Sequence, residues 1–121
     1  MKAALIQLSA SDEPLQNLPV TEALVREAAG GGAGFVLTPE VTNCRSSDRA
    51  HQRTVLRSEA DDLTLARLRV VADELRIWLL IGSLGIKTDD PDGRFANRSF
   101  LIAPDGSVAA RYDKIHMFDV D

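Results

Sequence analysis

The chain has 121 residues, 45% hydrophobic and 26% charged, and both fractions are ordinary for a soluble globular domain. A net charge of −4, with both signs mixed along the chain, disfavours nucleic acid or an anionic membrane as a partner, because both require a concentrated basic surface. The single cysteine excludes an internal disulfide and fits a reducing compartment. With no signal-peptide stretch and no run approaching the ~20 apolar residues of a membrane span, the sequence predicts a cytoplasmic protein.

Apolar runs and helical spacings alternate through the first part of the chain. Residues 3–8 form a short apolar run that predicts a buried strand, and residues 15–29 have the spacing of an amphipathic helix. Pro19 implies either that the regular helix begins there or that it is kinked. Glycines 30 to 32 precede a second buried strand at residues 35–37. A phosphate-binding loop would need glycines ahead of a helix, so these are interpreted as a helix stop.

The middle of the chain contains one polar segment and one more helix. Residues 41–58 are predicted to be a loop with a short helix. Asp61 and Asp62 suit the N-cap of the helix that follows. The apolar residues of that helix are predicted to share one face: Leu63, Leu68, Val71, Ala72 and Leu75. Residues 77–82 are predicted to be a third buried strand.

The last part of the chain predicts a hairpin. Residues 88–93 form a turn, and two further strand segments, 95–103 and 107–114, flank Pro104, Asp105 and Gly106. Strands that first alternate with helices and then pair as a hairpin predict an α/β layered fold with a mixed sheet.

Glu40 is a candidate catalytic base. It follows the second predicted strand, and the end of a buried strand is where α/β folds usually hold reactive groups. Pro39 stiffens the exit from that strand. A carboxylate held there can act as a general base near neutral pH. By position alone, a solvated or helix-capping glutamate is the more common interpretation.

Lys114 is a candidate electrophilic group at the end of the last predicted strand. A fixed ammonium there can stabilise an oxyanion that develops on a substrate carbon. The alternative interpretation is an edge-strand lysine that discourages aggregation.

Three other reactive side chains carry weaker signals. Cys44 lies in the polar segment with no motif around it, so it is predicted to be a dispensable surface thiol and not a nucleophile. His51 and His116 have no partner at a metal-ligand spacing, so no metal site is predicted.

Five segments, in order and with fitting gaps, resemble the nitrilase (carbon–nitrogen hydrolase) superfamily. They are the first strand at 2–7, the segment 35–40 ending in the family's catalytic glutamate, the strand at 81–83, the hairpin at 97–106, and the segment 112–120 bearing the family's catalytic lysine. The resemblance spans the whole chain and assigns the catalytic roles to Glu40 and Lys114. Within the superfamily, the segments are most similar to the amidase branch related to mammalian Nit proteins.

The resemblance implies an α-β-β-α sandwich that pairs through its helices into a homodimer or a larger homo-oligomer. It also implies a Glu-Lys-Cys triad acting on a small-molecule amide or nitrile. The glutamate deprotonates the cysteine, the thiolate attacks the substrate carbon, the lysine stabilises the tetrahedral intermediate, and water hydrolyses the resulting thioester. Neither a metal nor an organic cofactor is implied.

The chain departs from the family pattern in its length and its cysteine. Family domains are considerably longer, their nucleophile lies beyond the lysine, and Cys44 does not match its motif. Since the chain also stops without a polar tail, residues 1–121 are expected to be the N-terminal part, about half, of a single hydrolase domain that is inactive alone. The alternative is a catalytically inactive remnant that serves as a dimerisation or interaction module.

Overall fold

The computed structural model of the chain describes residues 2–7, 11–40, 42–44, 49–89, 91 and 95–113. Five strands, three α-helices and one short 3₁₀ helix (Glu59–Asp61) occur within these residues. In chain order the strands and α-helices are β1 (Ala3–Leu5), α1 (Pro14–Gly30), β2 (Phe35–Thr38), α2 (Arg49–Val55), α3 (Leu63–Leu75), β3 (Trp78–Lys87), β4 (Phe95–Ile102) and β5 (Val108–Asp113). None of the helices in this part of the chain is long and apolar enough to span a bilayer.

The five strands form one mixed sheet in the order β1-β2-β3-β4-β5. Strands β1, β2 and β3 are parallel, whereas β4 is antiparallel to β3 and β5 is antiparallel to β4. The predicted α/β class with a mixed sheet is therefore confirmed. Because β5 thus runs in the same direction as β2 and β3, the carboxyl ends of these three strands lie at one edge of the sheet.

The core lies between one face of the sheet and the helices. Val25 of α1 and Leu68 and Val71 of α3 pack against sheet residues such as Leu79 and Phe100, and all five are fully buried. Leu63, predicted to face the core, is instead 48% exposed. It lies five residues before Leu68, which places it about 140° away around the helix axis and so off the buried face.

Local signals set most of the element boundaries. Asp62 caps α3, and its side chain accepts a hydrogen bond from Leu65 N at 2.7 Å, as predicted. The hairpin between β4 and β5 closes through Gly106, whose φ of 83° suits glycine. Helix α1 begins at Pro14, not at Pro19, which lies inside the helix and cannot donate a backbone hydrogen bond.

The second face of the sheet carries an apolar row across all five strands. The register places five residues side by side on this face, at adjacent strand positions: Leu5, Leu37, Leu80, Leu101 and Ala110. Their neighbours along each strand point towards the helices, because side chains alternate between the faces of a sheet. These five side chains are only partly buried or are exposed, so within the described residues nothing packs on this face as the helices pack on the other.

Candidate active site

Glu40 lies in a short segment that follows β2 and is not paired with the sheet. Strand β2 pairs with β3 up to Thr38, which is opposite Ile81. The chain then leaves the sheet and returns at Thr42, whose backbone N donates to Ser83 O at 2.9 Å. Pro39 and Glu40, here called the Glu40 turn, therefore lie at the carboxyl end of β2, and Glu40 is exposed there.

Two threonines close the base of the Glu40 turn. The hydroxyls of Thr38 and Thr42 lie 2.9 Å apart, and the Thr42 hydroxyl also donates to the Pro39 carbonyl. Gly82 N donates to Thr38 Oγ1 at 3.2 Å. Both threonines are at most 1% exposed, so the turn stands on a small buried polar base.

Gly82 makes room for the turn where its backbone packs against β3. A Cβ at this position would lie 2.3 Å from the Thr38 carbonyl oxygen and 2.7 Å from Pro39 backbone atoms. Those distances are far inside van der Waals contact, and the obstructing atoms are backbone. Glycine is therefore required at position 82 if the Glu40 turn is to keep its place.

Asn43 fixes the chain directly after the turn. Its side-chain amide accepts a hydrogen bond from Gly85 N at 2.9 Å and donates to Gly85 O at 3.0 Å. The Asn43 carbonyl in turn accepts a hydrogen bond from Asn17 Nδ2 of α1 at 2.9 Å. Asn43 Nδ2 also makes a long contact of 3.5 Å with Asp62 Oδ1, and burial raises the pKa of the Asp62 carboxyl.

Sequence reasoning missed Thr42, Asn43, Asn17 and Gly82. The signal that was present is the residue types themselves: threonine, asparagine and glycine side by side with a candidate catalytic residue or opposite it. Their partners are up to 44 positions away in the chain, so neither spacing nor periodicity predicts them.

Lys114 lies outside the described residues, but the strand that leads to it is firmly held. Arg98 of β4 forms a two-pronged ion pair with Asp113, the last residue of β5. Arg98 also bonds Glu59 at 3.0 Å, which Arg111 bonds at 2.8 Å. The Arg98 guanidinium holds the pKa of the Asp113 carboxyl below its ordinary value.

The sheet brings the ends of β2 and β5 to the same edge. In the cross-strand register Asp113 pairs with Arg98, which in turn pairs with Leu84, next to the Gly85 that Asn43 binds. Strand β5 thus ends, at Asp113, close to the level at which Thr42 and Asn43 bond β3. Whether the side chains of Glu40 and Lys114 meet stays a prediction.

Cys44 is not the surface thiol that its polar neighbours predicted. It is 4% exposed, and its Sγ donates to the Asp12 carbonyl at 3.3 Å. Burial, together with the nearby carboxylates of Asp12 and Glu13, raises the pKa of the Cys44 thiol to about 11. A nucleophilic cysteine needs a lowered pKa, so the conclusion that Cys44 is not the nucleophile keeps its support although the predicted location is wrong.

The burial of Cys44 changes the expected effect of replacing it. Cys44→Ser in the full-length protein should lower the free energy of unfolding by about 1 kcal/mol, because a more polar and smaller group takes a closed position. Urea unfolding followed by circular dichroism measures this change. A loss of only a few tenths of a kcal/mol, as for a surface substitution, would contradict the buried placement. Because the serine hydroxyl can donate to the Asp12 carbonyl as the thiol does, the rate of catalysis should not change.

His51 has neighbours that the sequence did not predict. Its Nε2 lies 2.9 Å from Glu13 Oε2, 3.7 Å from Asp12 Oδ2 and 2.7 Å from the Asp12 carbonyl oxygen. The two carboxylates and the imidazole are close enough to hold a metal ion. The ring nitrogen is, however, already hydrogen-bonded within the cluster, which ties α2 to the segment before α1. The absence of a metal site stays a prediction.

The sequence matches the carbon–nitrogen hydrolase family over residues 2–121. The chain therefore belongs to that family, and the predicted membership is confirmed. It is 34% identical to the omega-amidase NIT2 of Mus musculus, over 99% of this chain and 42% of that protein. It is 30% identical to the deaminated glutathione amidase of Yersinia enterocolitica, over 98% of this chain and 41% of that protein. The chain thus spans less than half the length of these relatives, which support the Nit-type amidase branch.

Solved structures share the fold. The C. elegans NitFhit protein superposes with a TM-score of 0.85 at 23% identity, over 98% of this chain and 29% of that chain. An amidase from Nesterenkonia sp. superposes with a TM-score of 0.78 at 27% identity, over 99% of this chain and 44% of that chain. These likenesses confirm the nitrilase-type α/β fold. One mutant of the Nesterenkonia amidase was solved with butyramide, and another shows addition of acrylamide at its active site cysteine.

Proposed function

We propose that the protein to which this chain belongs hydrolyses the amide bond of a small molecule through a thioester intermediate. Glu40 is the general base, Lys114 stabilises the oxyanion, and the nucleophile is a cysteine outside these 121 residues. The observation that carries the proposal is the Glu40 turn: an exposed carboxylate on a buried base, in a chain that matches the hydrolase family over residues 2–121.

The proposed reaction needs one base at two stages. Glu40 first takes the thiol proton, and the thiolate attacks the amide carbon to give a tetrahedral intermediate. Ammonia leaves with the proton held by Glu40, so that a thioester remains. Glu40 then takes a proton from water, which attacks the thioester, and the carboxylic acid leaves as the thiol is restored. One water is consumed, and one ammonia and one acid are released.

Lys114 supplies charge to this sequence without changing its proton balance. An ammonium close to the carbonyl oxygen stabilises the negative charge that develops in each tetrahedral intermediate. The direction of β5 and the ion pair between Arg98 and Asp113 support this role, because they direct the chain to the edge of the sheet that carries Glu40.

The relatives favour an amide over a nitrile as the substrate. The curated relatives named above are amidases, and the Nesterenkonia amidase structures contain small primary amides. We therefore propose a small ω-amide as the substrate class. A cytoplasmic location and assembly into a homodimer or higher oligomer stay predictions.

The test is an assay of the full-length protein against small amides and nitriles. We expect ammonia release from ω-amides, and intact-mass spectra of the rapidly quenched reaction should show the enzyme carrying one acyl group. Hydroxylamine should convert that species to the free enzyme and a hydroxamate, as it does a thioester. If no amide or nitrile in the panel releases ammonia, the proposal fails and the alternative of an inactive pairing module gains support.

A further inference from the structure

We propose that Thr42 and Asn43 are positioning residues that hold Glu40 in its catalytic geometry. The inference rests on the proposed function, because it assigns these residues a role only if Glu40 is the general base. Neither residue is among those that the family resemblance assigns, and both are essentially fully buried, at 0% and 1% exposure.

Thr42 acts on the turn itself. Its hydroxyl donates to the Pro39 carbonyl, which belongs to the peptide bond leading into Glu40. The Thr42 hydroxyl oxygen also lies 2.9 Å from Thr38 Oγ1, and the Thr42 backbone N donates to Ser83 O at 2.9 Å. The two ends of the Glu40 turn are thereby joined to each other and to β3, so the turn cannot open without breaking buried hydrogen bonds.

The Asn43 side chain pairs backbone groups of β3 that lie beyond the end of β2. Gly85 directs its N–H and C=O away from β4, towards the space that a longer β2 would fill. The Asn43 side-chain amide occupies both groups, at 2.9 and 3.0 Å, as a neighbouring strand would. Without the Asn43 amide, the Gly85 N–H and C=O would be buried and unpaired, which costs free energy, so this part of the chain would have to rearrange.

The segment 42–44 is held from three directions. Thr42 bonds the turn, Asn43 bonds β3, and Cys44 bonds the Asp12 carbonyl in the segment after β1. Asn17 of α1 adds a fourth link through the Asn43 carbonyl. The exit of the Glu40 turn is thus tied to β3, to α1 and to the segment that follows β1.

Such fixation matters for a general base. A catalytic group must be held within hydrogen-bond reach of the proton that it removes, and a misplacement of about 1 Å can cost a factor of about 10² in rate. Glu40 is exposed, whereas the backbone on either side of it is anchored by the buried Thr38 and Thr42. We therefore attribute its position to the backbone of the turn, and the position of the turn to Thr42 and Asn43.

The experiment is a double-mutant cycle in the full-length protein, with Thr42→Val and Asn43→Ser each combined with Glu40→Gln. Both substitutions are neutral in charge, so they leave the local field almost unchanged. The first readout is kcat against KM for an ω-amide. The second is the rate at which iodoacetamide alkylates the nucleophilic cysteine, followed by peptide mass spectrometry. That rate is measurable even in variants without turnover.

With Glu40 present, each substitution should lower kcat and the alkylation rate by about 10- to 100-fold and change KM by less than about threefold. With Glu40→Gln in place, the same substitutions should change the alkylation rate by less than about twofold, because residues that act through one group are not additive. Val71→Ala, a buried change on α3, is the control for general destabilisation, and it should lower the melting temperature without lowering kcat.

The outcomes separate the two proposals. Should Glu40→Gln leave kcat and the alkylation rate unchanged, the proposed function fails. If Glu40→Gln lowers both rates but the effects of Thr42→Val and Asn43→Ser add to it in full, only the positioning role is overturned. If Asn43→Ser does not fold, Thr42→Val decides alone, because it keeps the bond from its backbone N to Ser83.

Discussion

Replacing Glu40 with glutamine in the full-length protein is expected to lower kcat by about 10³- to 10⁴-fold. Glutamine has almost the same size and shape as glutamate, but its amide cannot accept a proton from a thiol or from water. Because Glu40 is exposed on its turn, the substitution should shift the melting temperature by no more than about one degree. A large loss of rate without loss of stability is the expected result for a catalytic base.

The measurement is steady-state ammonia release together with thermal unfolding. Glu27→Gln is a matched control, since Glu27 is also an exposed glutamate but lies on α1, in the last turns before Gly30. This control should retain full kcat. A Glu40→Gln variant that kept kcat within about threefold of the parent would remove Glu40 from the mechanism, whatever the family resemblance implies.

The sheet and helices were predictable because their signals are local. The apolar runs at residues 35–37 and 77–82 became β2 and part of β3, and Asp62 capped α3 where a capping residue was expected. The hairpin around Gly106 followed from its turn residues. In each case the information lies within a few residues of the element that it specifies.

The support of the candidate site could not be predicted in the same way. Asn43 meets Gly85 across 42 positions, and Cys44 meets Asp12 across 32. The polar composition of residues 41–58 predicted a loop, yet residues 42–44 are buried, because their polar side chains bond Thr38 and the backbone of other segments. A polar residue is buried when its hydrogen bonds are satisfied, and only the tertiary structure shows whether they are.

The catalytic roles of Glu40 and Lys114 came from the family resemblance and not from local patterns or tertiary contacts. Glu40 and Lys114 would each have remained an ordinary strand-end side chain by spacing alone. The topology now gives a physical reason for pairing them, since β2 and β5 run in one direction and end at one edge. Two strands separate β2 from β5, so backbone spacings sum to about 14 Å. The meeting of the two side chains across that spacing stays a prediction.

The second prediction with a large expected effect is that the 121-residue polypeptide alone catalyses no amide hydrolysis. Its one cysteine is Cys44, which is buried and has a pKa of about 11. At pH 7 roughly one thiol in ten thousand would then be ionised, and that thiolate would be closed off from substrate. Glu40 can still polarise water, but it does not replace the covalent step that divides a difficult reaction into two easier ones.

The polypeptide alone should also associate. The apolar row from Leu5 to Ala110 on the second sheet face lies open in the described residues, and open apolar surface of this extent promotes contact between copies. Analytical ultracentrifugation should therefore show oligomers, and ammonia release from small ω-amides should stay at the level of a buffer blank. The Glu40→Gln version of the same polypeptide is the control. Turnover near that of the full-length protein, lost on Glu40→Gln, would show that catalysis here proceeds without an external cysteine, and the thioester mechanism would then be wrong for this protein.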